Sequence, residues 1–493
     1  MLLILTGAFL VRLYKFERPV ADWHSWRQAD TSAVSRNFVK FGYDILIPRF
    51  DDLSNGVSLL DNPQGYRFVE FPFYNIFQAG LFQMIGGFSI EQWGRLVTIF
   101  SSLFAIIFLY FLVKKHISFR AGLIAAFFYA FVPYNIYYGR TILPDTLMVM
   151  AFLGGLYFFD EWLDENSNIK YQKSKLQLKS QILFLVSIIF TASAVLIKPF
   201  VAFFFLAFLY LIFMKYGWRG FKRPEIWLFF IFACLPFMLW RMWMQNFPEG
   251  IPRSDWLYNG NGIRFKGAFF WWIFAERISK SILGYWGITF VVLGMLFKPG
   301  NKEKWLFFTL IISSLAYLSV FATGNVQHDY YQILIVPAIA IFFAKGVDAI
   351  LNVAKNYLNL WITRGIIFVS IIFMLIFGWY IIRDFYSIQH PEIITAGQAV
   401  DKFTPKDAKV IAVYNGDTTF LYHTKRQGWP VVERSFQQFI ISGATHIAFA
   451  NPTKEELNIK TLFEPVKITD RYAIFDFGKP TPLGIEELKK KEE

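Results

Sequence analysis

The sequence predicts a mainly α, polytopic membrane protein with about eleven transmembrane helices and a small α/β domain at its carboxyl-terminal end. Three observations predict it. Of the 493 residues 55% are hydrophobic and 20% aromatic, and only 17% are charged, more apolar side chain than a soluble chain of this length readily hides. Apolar stretches of about 18 residues recur, for instance around 95–113, 226–240 and 365–382, matching a hydrocarbon core of roughly 30 Å. From about Asp384 the composition turns ordinary, and "AKVIAVYN", "ATHIAFA" and "YAIFDF" read as short strands.

The formal charge of +13 sits mostly in short basic clusters between apolar segments. That is the pattern of the positive-inside bias, so the partner it implies is anionic membrane lipid and not nucleic acid. The single cysteine, Cys234, lies in an apolar run, which excludes a disulfide framework or a Cys-based metal site within one chain. The first apolar run has no basic region ahead of it and no small-residue cleavage site, and Arg12 ends it; a retained, short first span is expected.

The connectors "KKHISFR" (114–120), "KYQKSKLQLKS" (170–180), "KYGWRGFKR" (215–223), "KPGNKEK" (298–304) and the segment from Lys345 to Arg364 are basic. Placing all five in the cytoplasm fixes the direction of every span. Two apolar stretches are too long for one crossing and divide at Lys198-Pro199 and at "YNIYYGRTILPD" (134–145). The expected spans are 1–14, 93–113, 121–134, 144–162, 182–197, 199–214, 225–243, 281–297, 305–322, 332–348 and 365–383. "EFPFYNIFQAGLFQMIGG" (70–87) is read as an interfacial helix, because counting it as a span would put the lysine clusters outside. The domains expected are a transmembrane catalytic domain, 1–383, with a large first outer loop, 15–92, and an extracytoplasmic α/β domain, 384–493. In the latter, helices are expected near 418–426, 434–442 and 453–461, and the tail "EELKKKEE" is frayed or helical.

With this topology the unusual polar groups share one face of the membrane. The densest set is "DWHSWRQAD" (22–30), with Asp22, His24, Arg27, Gln28 and Asp30 among two tryptophans. Asp30 is either the N-cap of the helix that follows or, with Arg27 three residues before it and Trp26 four, an ionised carboxylate suited to general-base work. Asp22 competes for the same role. In "GRTILPDTL", Asp145 caps a helix or serves the site, and Arg140 stands beside it in sequence. Lys198 interrupts an apolar run, where an ammonium either snorkels or binds an anion such as an isoprenoid phosphate at the membrane edge. "QHDYYQI" (327–333) offers His328, Asp329 and Tyr330, read as an aromatic belt with a loop pair or as site residues. Glu70 is a loop acid or a third carboxylate. These carboxylates with His328 are of the type that binds a divalent ion, but their scatter over separate loops makes the metal signal weak and fixes no cofactor. Arg253, Arg264, Lys266, Arg277 and Lys280 in loop 244–280 read mostly as a solvated basic face.

The stretches "HSWRQADTSAVSRNF", "EFPFYNIF", "RTILPDTL", "LIKPF", "HDYYQILIVP" and "FLYHTKRQGWPV" resemble, in order over nearly the whole chain, the glycosyltransferase C (GT-C) superfamily. The resemblance is to the bacterial relatives of protein O-mannosyltransferases and of the lipid A aminoarabinose transferase (glycosyltransferase family 39). It implies a polyprenyl-phosphate sugar donor and a site at the outer membrane surface. By the same resemblance Asp30 is the catalytic aspartate of the first loop, Asp145 the second acidic residue and Glu70 an acid before the family's proline, while Lys198, His328 and Tyr330 lie near the donor phosphate. Many relatives carry an adjacent Asp-Glu pair where this chain reads Arg27-Gln28-Ala29-Asp30, which leaves the base between Asp30 and Asp22.

The chemistry implied is inverting transfer of a sugar to an acceptor hydroxyl on a lipid, glycan or protein, with Lys198 and Arg27 or Arg140 stabilising the departing phosphate. The alternative is a lipid-linked sugar transporter or flippase; that class places polar groups near the bilayer midplane, often in paired repeats, and no repeat occurs here. The absence of an Asn-X-Ser/Thr acceptor with a middle residue other than proline leans towards a bacterial plasma membrane, with the N-terminus cytoplasmic.

Overall fold

The computed structural model describes residues 1–168 and 174–489. Part of the basic connector 170–180 and the last four residues of the charged tail lie outside the described residues. The chain divides into two compact units, one of Met1–Phe16, Arg95–Arg241 and Ser254–Asp384, the other of Glu17–Gly94, Met242–Arg253 and Phe385–Glu493.

The first unit is helical. Among the described residues, seven helical stretches are long and apolar enough to cross a membrane, from Ile90–His116 to the one that opens at Leu360, and Leu2–Arg12, Phe119–Phe131 and Leu306–Val320 are shorter apolar helices. These ten coincide with ten of the eleven expected spans, and the chain is a multi-pass membrane protein. The eleventh, 281–297, differs. A π-helix, Trp271–Ile282, gives way to a turn with Gly284 and Tyr285 at positive φ (48° and 61°), and the helix after it, Ile288–Leu296, has only nine residues, about 14 Å at 1.5 Å each. The break falls where the chain meets the helix Leu360–Ile382: a Cβ on Gly284 would lie 2.2 Å from the carbonyl oxygen of Met374.

Helices pack backbone to backbone where small residues allow it. A Cβ on Gly294 would stand 2.0 Å from the Phe342 carbonyl oxygen, and one on Gly346 would stand 1.9 Å from that of Phe290. Ile288–Leu296 and Val336–Tyr357 therefore cross at reciprocal glycines. Gly346→Ala is expected to abolish monodisperse protein on size exclusion after solubilisation, because no rotamer relieves a clash with backbone; recovery at the wild-type level would refute this account of the crossing.

The basic connectors meet at one end of the helices. Lys115 pairs with Asp160, Glu161 and Asp164, and Lys215 with Asp164. Lys345 pairs with Glu303, Arg120 with Asp348, and His116 reaches the Lys302 carbonyl. Four connectors assigned to one side of the membrane are thus joined by contacts of their own.

The second unit is built on a five-stranded sheet with strands β1 (Val410–Val413), β2 (Gly428–Trp429), β3 (His446–Ala450), β4 (Phe463–Ile468) and β5 (Tyr472–Pro480), in the order β2-β1-β3-β5-β4. β1 is parallel to β2 and β3, while β5 is antiparallel to β3 and β4. Alternation along each strand splits the core in two. Val410, Ala412, Ala448 and Ile474 face the helix Pro391–Phe403 with Phe420 and Leu421; Ile411, Ile447, Phe449 and Phe475 pack with Trp429, Phe439 and Leu53. Leu53 belongs to the first loop. Its backbone N–H donates to the Gly428 carbonyl at 2.7 Å, and Gly428 N–H donates to that of Asp51 at 2.9 Å, so this loop continues the sheet edge. The three strands expected here are present, as are helices Thr418–Thr424 and Phe436–Ile441 and a short 3₁₀ turn at Glu456–Thr461. β2 is too short to show a period, and β4 carries Pro465 and register shifts, which hide a strand from pattern reading.

Candidate functional site

The helix Ser25–Phe41 follows His24, which serves as its N-cap in a left-handed conformation (φ 56°). Asp30 consequently lies in the helix interior, one turn and a half along, and the capping reading is corrected. The helix buries Arg27, Gln28, Asp30, Thr31, Ser32, Ser35 and Asn37. A helix that buries its polar face needs partners for it, and they are supplied within the same unit. Asp30 Oδ2 lies 3.1 Å from Nη1 of Arg67, and Oδ1 accepts from the Thr418 hydroxyl at 2.7 Å. Arg27 pairs with Glu70. Asn75 Nδ2 donates to the Thr31 carbonyl at 2.6 Å, and Gln78 Nε2 to Ser32 Oγ at 3.0 Å. Burial pushes the Asp30 carboxyl above its ordinary value, against the opposing pull of Arg67, Thr418 and Arg27. Burial likewise lowers the Arg67 guanidinium. Asp22, the competing base, accepts from Gln28 Nε2 at 2.7 Å.

In the first unit, Lys198 stands in extended conformation between Ser174–Ile197 and the 3₁₀ turn Pro199–Phe204, the break expected there. Its Nζ donates to Asp145 Oδ1 at 2.6 Å, with both side chains buried. Asp145 opens the helix Asp145–Asn168, and its Oδ2 is buried without a hydrogen-bond partner. Lys198 Nζ also lies 5.4 and 5.1 Å from the ring centroids of Tyr330 and Tyr331, a cation–π cradle. His328 stacks on Tyr330 at 5.4 Å. Asp329 accepts from the Tyr138 hydroxyl at 2.5 Å, and Arg277 lies 3.8 Å from its other oxygen.

The structure thus joins Asp145, Lys198, Tyr330 and His328 in one cluster and Asp30, Arg27 and Glu70 in another. Arg140 is buried and donates to the carbonyls of Tyr14 and Lys15, both at 2.9 Å, tying down the chain after the first helix. His24 and Asp22 line a separate cavity. Arg67 and Thr418 escaped sequence reasoning because Arg67 had only its nearness to Glu70 as a signal and Thr418 only its place at the start of an expected helix. Arg277 and Arg264 are not solvated as expected, since they donate to the carbonyls of Val326 (2.9 Å) and Val320 (3.0 Å). Among the described residues no group of three His, Cys, Asp or Glu side chains is placed to hold a metal ion.

Asp52, buried in the first loop, accepts from Ser54 N–H at 2.8 Å and is pushed up to about 7 by burial, with Asp30 adding to the effect. The folded state binds this proton more tightly than the unfolded chain, so its contribution is present at acid pH and is lost as pH rises from about 4 to 7. Asp52→Asn is expected to raise the melting temperature at pH 8 by a few degrees and to flatten the decline between pH 4 and 7; an unchanged melting curve at both ends would contradict the assignment.

Apolar helices, a polar first loop and a small sheet near the carboxyl-terminal end make up the fold. It is shared with ArnT from Cupriavidus metallidurans bound to undecaprenyl phosphate (TM-score 0.66, 12% identity, 96% of this chain and 97% of that one) and with its apo state (TM-score 0.67). The archaeal oligosaccharyltransferase AglB from Archaeoglobus fulgidus, in complex with an inhibitory peptide and a dolichol-phosphate, is similar over 99% of this chain and 77% of its own (TM-score 0.57, 12% identity). Residues 70–243, about a third of the chain, match the family profile described as dolichyl-phosphate-mannose-protein mannosyltransferase, a stretch that contains Glu70, Arg140, Asp145 and Lys198. No curated protein matches the chain by sequence. The resemblance to GT-C, mannosyltransferase-like and ArnT-like proteins drawn from the motifs is borne out.

Proposed function

We propose that the protein is a membrane glycosyltransferase that moves a sugar from a polyprenyl-phosphate donor to an acceptor hydroxyl at the outer face of the plasma membrane, with inversion. The observation that carries this reading is the buried Asp30 carboxylate held between Arg67 and the Thr418 hydroxyl. Burial raises its basicity against the opposing pull of the Arg67 guanidinium, and a carboxylate made more basic is what a general base needs. The acceptor oxygen attacks the anomeric carbon as its proton passes to Asp30. The bond from that carbon to the phosphate oxygen breaks, and its electron pair leaves on the lipid phosphate. Lys198, steadied by Asp145 and the Tyr330 and Tyr331 rings, is the cation assigned to that phosphate, and Arg27, His328 and Glu70 complete the set of binding and positioning residues. The ArnT fold, solved with undecaprenyl phosphate bound, supports the choice of donor.

The test is transfer from radiolabelled polyprenyl-phosphate sugars by the purified protein in lipid nanodiscs, with the anomeric configuration of the product read by NMR. Movement of the lipid-linked sugar across liposomes without any transfer would favour a flippase instead. Because Arg67 holds the Asp30 pKa down, Arg67→Met is expected to move the acid limb of the kcat/KM profile to higher pH by about 1–3 units. A limb that stays in place would detach Asp30 from the rate.

A further inference from the structure

We propose that the cavity lined by Asp22, Trp23, His24, Trp26, Gln389 and Asp417 binds one pyranose ring of a glycan acceptor. The inference rests on the transferase reading above and deepens it by naming the acceptor class. The cavity holds about 240 Å³, below the roughly 300–1,000 Å³ of sites for drug-sized ligands, which suits a single monosaccharide ring. A pyranose presents an apolar C–H face and a rim of hydroxyls. Its complement is flat aromatic wall with a few carboxylate and amide groups, and two indoles, two carboxylates and an amide meet here.

The wall is preorganised. Trp23 stacks on Phe385 (5.1 Å, 19°), and its backbone N–H donates to the Phe385 carbonyl at 3.0 Å. Gln28 Nε2 donates to Asp22 Oδ1 at 2.7 Å and to the Trp23 carbonyl at 3.2 Å, fixing the first carboxylate. Between the tryptophans His24 takes a left-handed conformation (φ 56°) that costs a non-glycine residue about 1–2 kcal/mol, strain of the kind that collects at functional sites. Groups fixed before the ligand arrives lose less entropy on binding. Asp417 accepts from Thr419 N–H at 2.7 Å, and its neighbour Thr418 is the residue that donates to Asp30. One peptide bond therefore separates a wall of the cavity from the hydroxyl on the assigned base, which makes the occupant an acceptor.

Other ligands fit less well. The cavity has two imidazoles, His24 and His390, and two carboxylates, yet among the described residues no three such groups are placed to hold a metal. Its lining comes from a turn, a helix start and a loop, with no strand edge to pair a peptide backbone.

The probes are maltotriose, chitotriose and mannotriose, each free and as the head of a synthetic glycolipid, with a Ser/Thr peptide as the protein-type acceptor. Transfer from polyprenyl-phosphate sugars is measured in nanodiscs, and binding of the free trisaccharides by saturation-transfer NMR. Expected is binding of at least one trisaccharide, with its Kd raised tenfold or more by Gln389→Ala and by Asp417→Asn, the latter chosen because Asn still caps a helix. Transfer to both forms supports the site; transfer to the lipid-linked form alone also supports it and places the glycan on a lipid. Transfer to the peptide with no trisaccharide bound overturns the inference and leaves the transferase reading standing. Binding weakened by both variants with no transfer to any acceptor keeps the sugar site and removes the transferase reading. Trisaccharide binding that neither variant changes overturns the site.

Discussion

Asp30→Asn is expected to lower the turnover number for glycosyl transfer by about 10²–10⁴-fold, the range general-base catalysis commonly supplies. The amide keeps the shape of the carboxylate and can still accept from the Thr418 hydroxyl, but it cannot take a proton. It also takes from the buried Arg67 its ion-pair partner, which destabilises, so the melting temperature is measured beside the rate. Thr418→Val separates the effects: it deletes one hydrogen bond to the base and leaves the charge, and a loss of no more than about tenfold is expected. A folded Asp30→Asn variant turning over within a few-fold of wild type would remove Asp30 as the base, and Asp22→Asn would then be the variant to measure.

Lys198→Ala is expected to cost both stability and rate. Removing one member of a buried ion pair leaves a charge with no partner, typically about 3–5 kcal/mol; here the orphan is Asp145, whose second oxygen already lacks a hydrogen bond. The double variant Lys198→Met with Asp145→Leu takes out both charges and is expected to recover most of the melting temperature, because apolar replacement of a buried pair is often neutral or stabilising. Its transfer rate is expected to stay about 10²–10³-fold down, the usual loss when a group stabilising developing charge is deleted. Full activity in the double variant would reduce the pair to a structural bolt.

Legibility in the sequence followed the strength of the physical signal. Apolar length alone located ten helices, and charge bias grouped connectors that Lys115, Lys215, Lys345 and Arg120 join through ion pairs. Division at Lys198 was legible because a lone cation before a proline is costly in an apolar helix. The 281–297 stretch misled because its hydropathy is continuous while its backbone is not; the break is set by Gly284 lying against Met374, a tertiary contact without a local pattern. The same holds at the candidate site. Asp30, Glu70 and Lys198 stand out as charges in unusual company, whereas Arg67 and Thr418 matter only through contacts that span 37 and 388 positions. Arg140 was conspicuous as a charge beside Asp145, and its contacts to the Tyr14 and Lys15 carbonyls had no local signal.

The hydroxyl on Asp30 has a consequence for biogenesis. Because its donor lies 388 residues downstream, a ribosome adding roughly 5–20 residues per second needs on the order of 20–80 s after making the aspartate to supply Thr418. Nascent chains already inserted in the bilayer thus carry an Asp30 that lacks the Thr418 hydroxyl, and on the proposed chemistry truncated products of interrupted translation are expected to be inert.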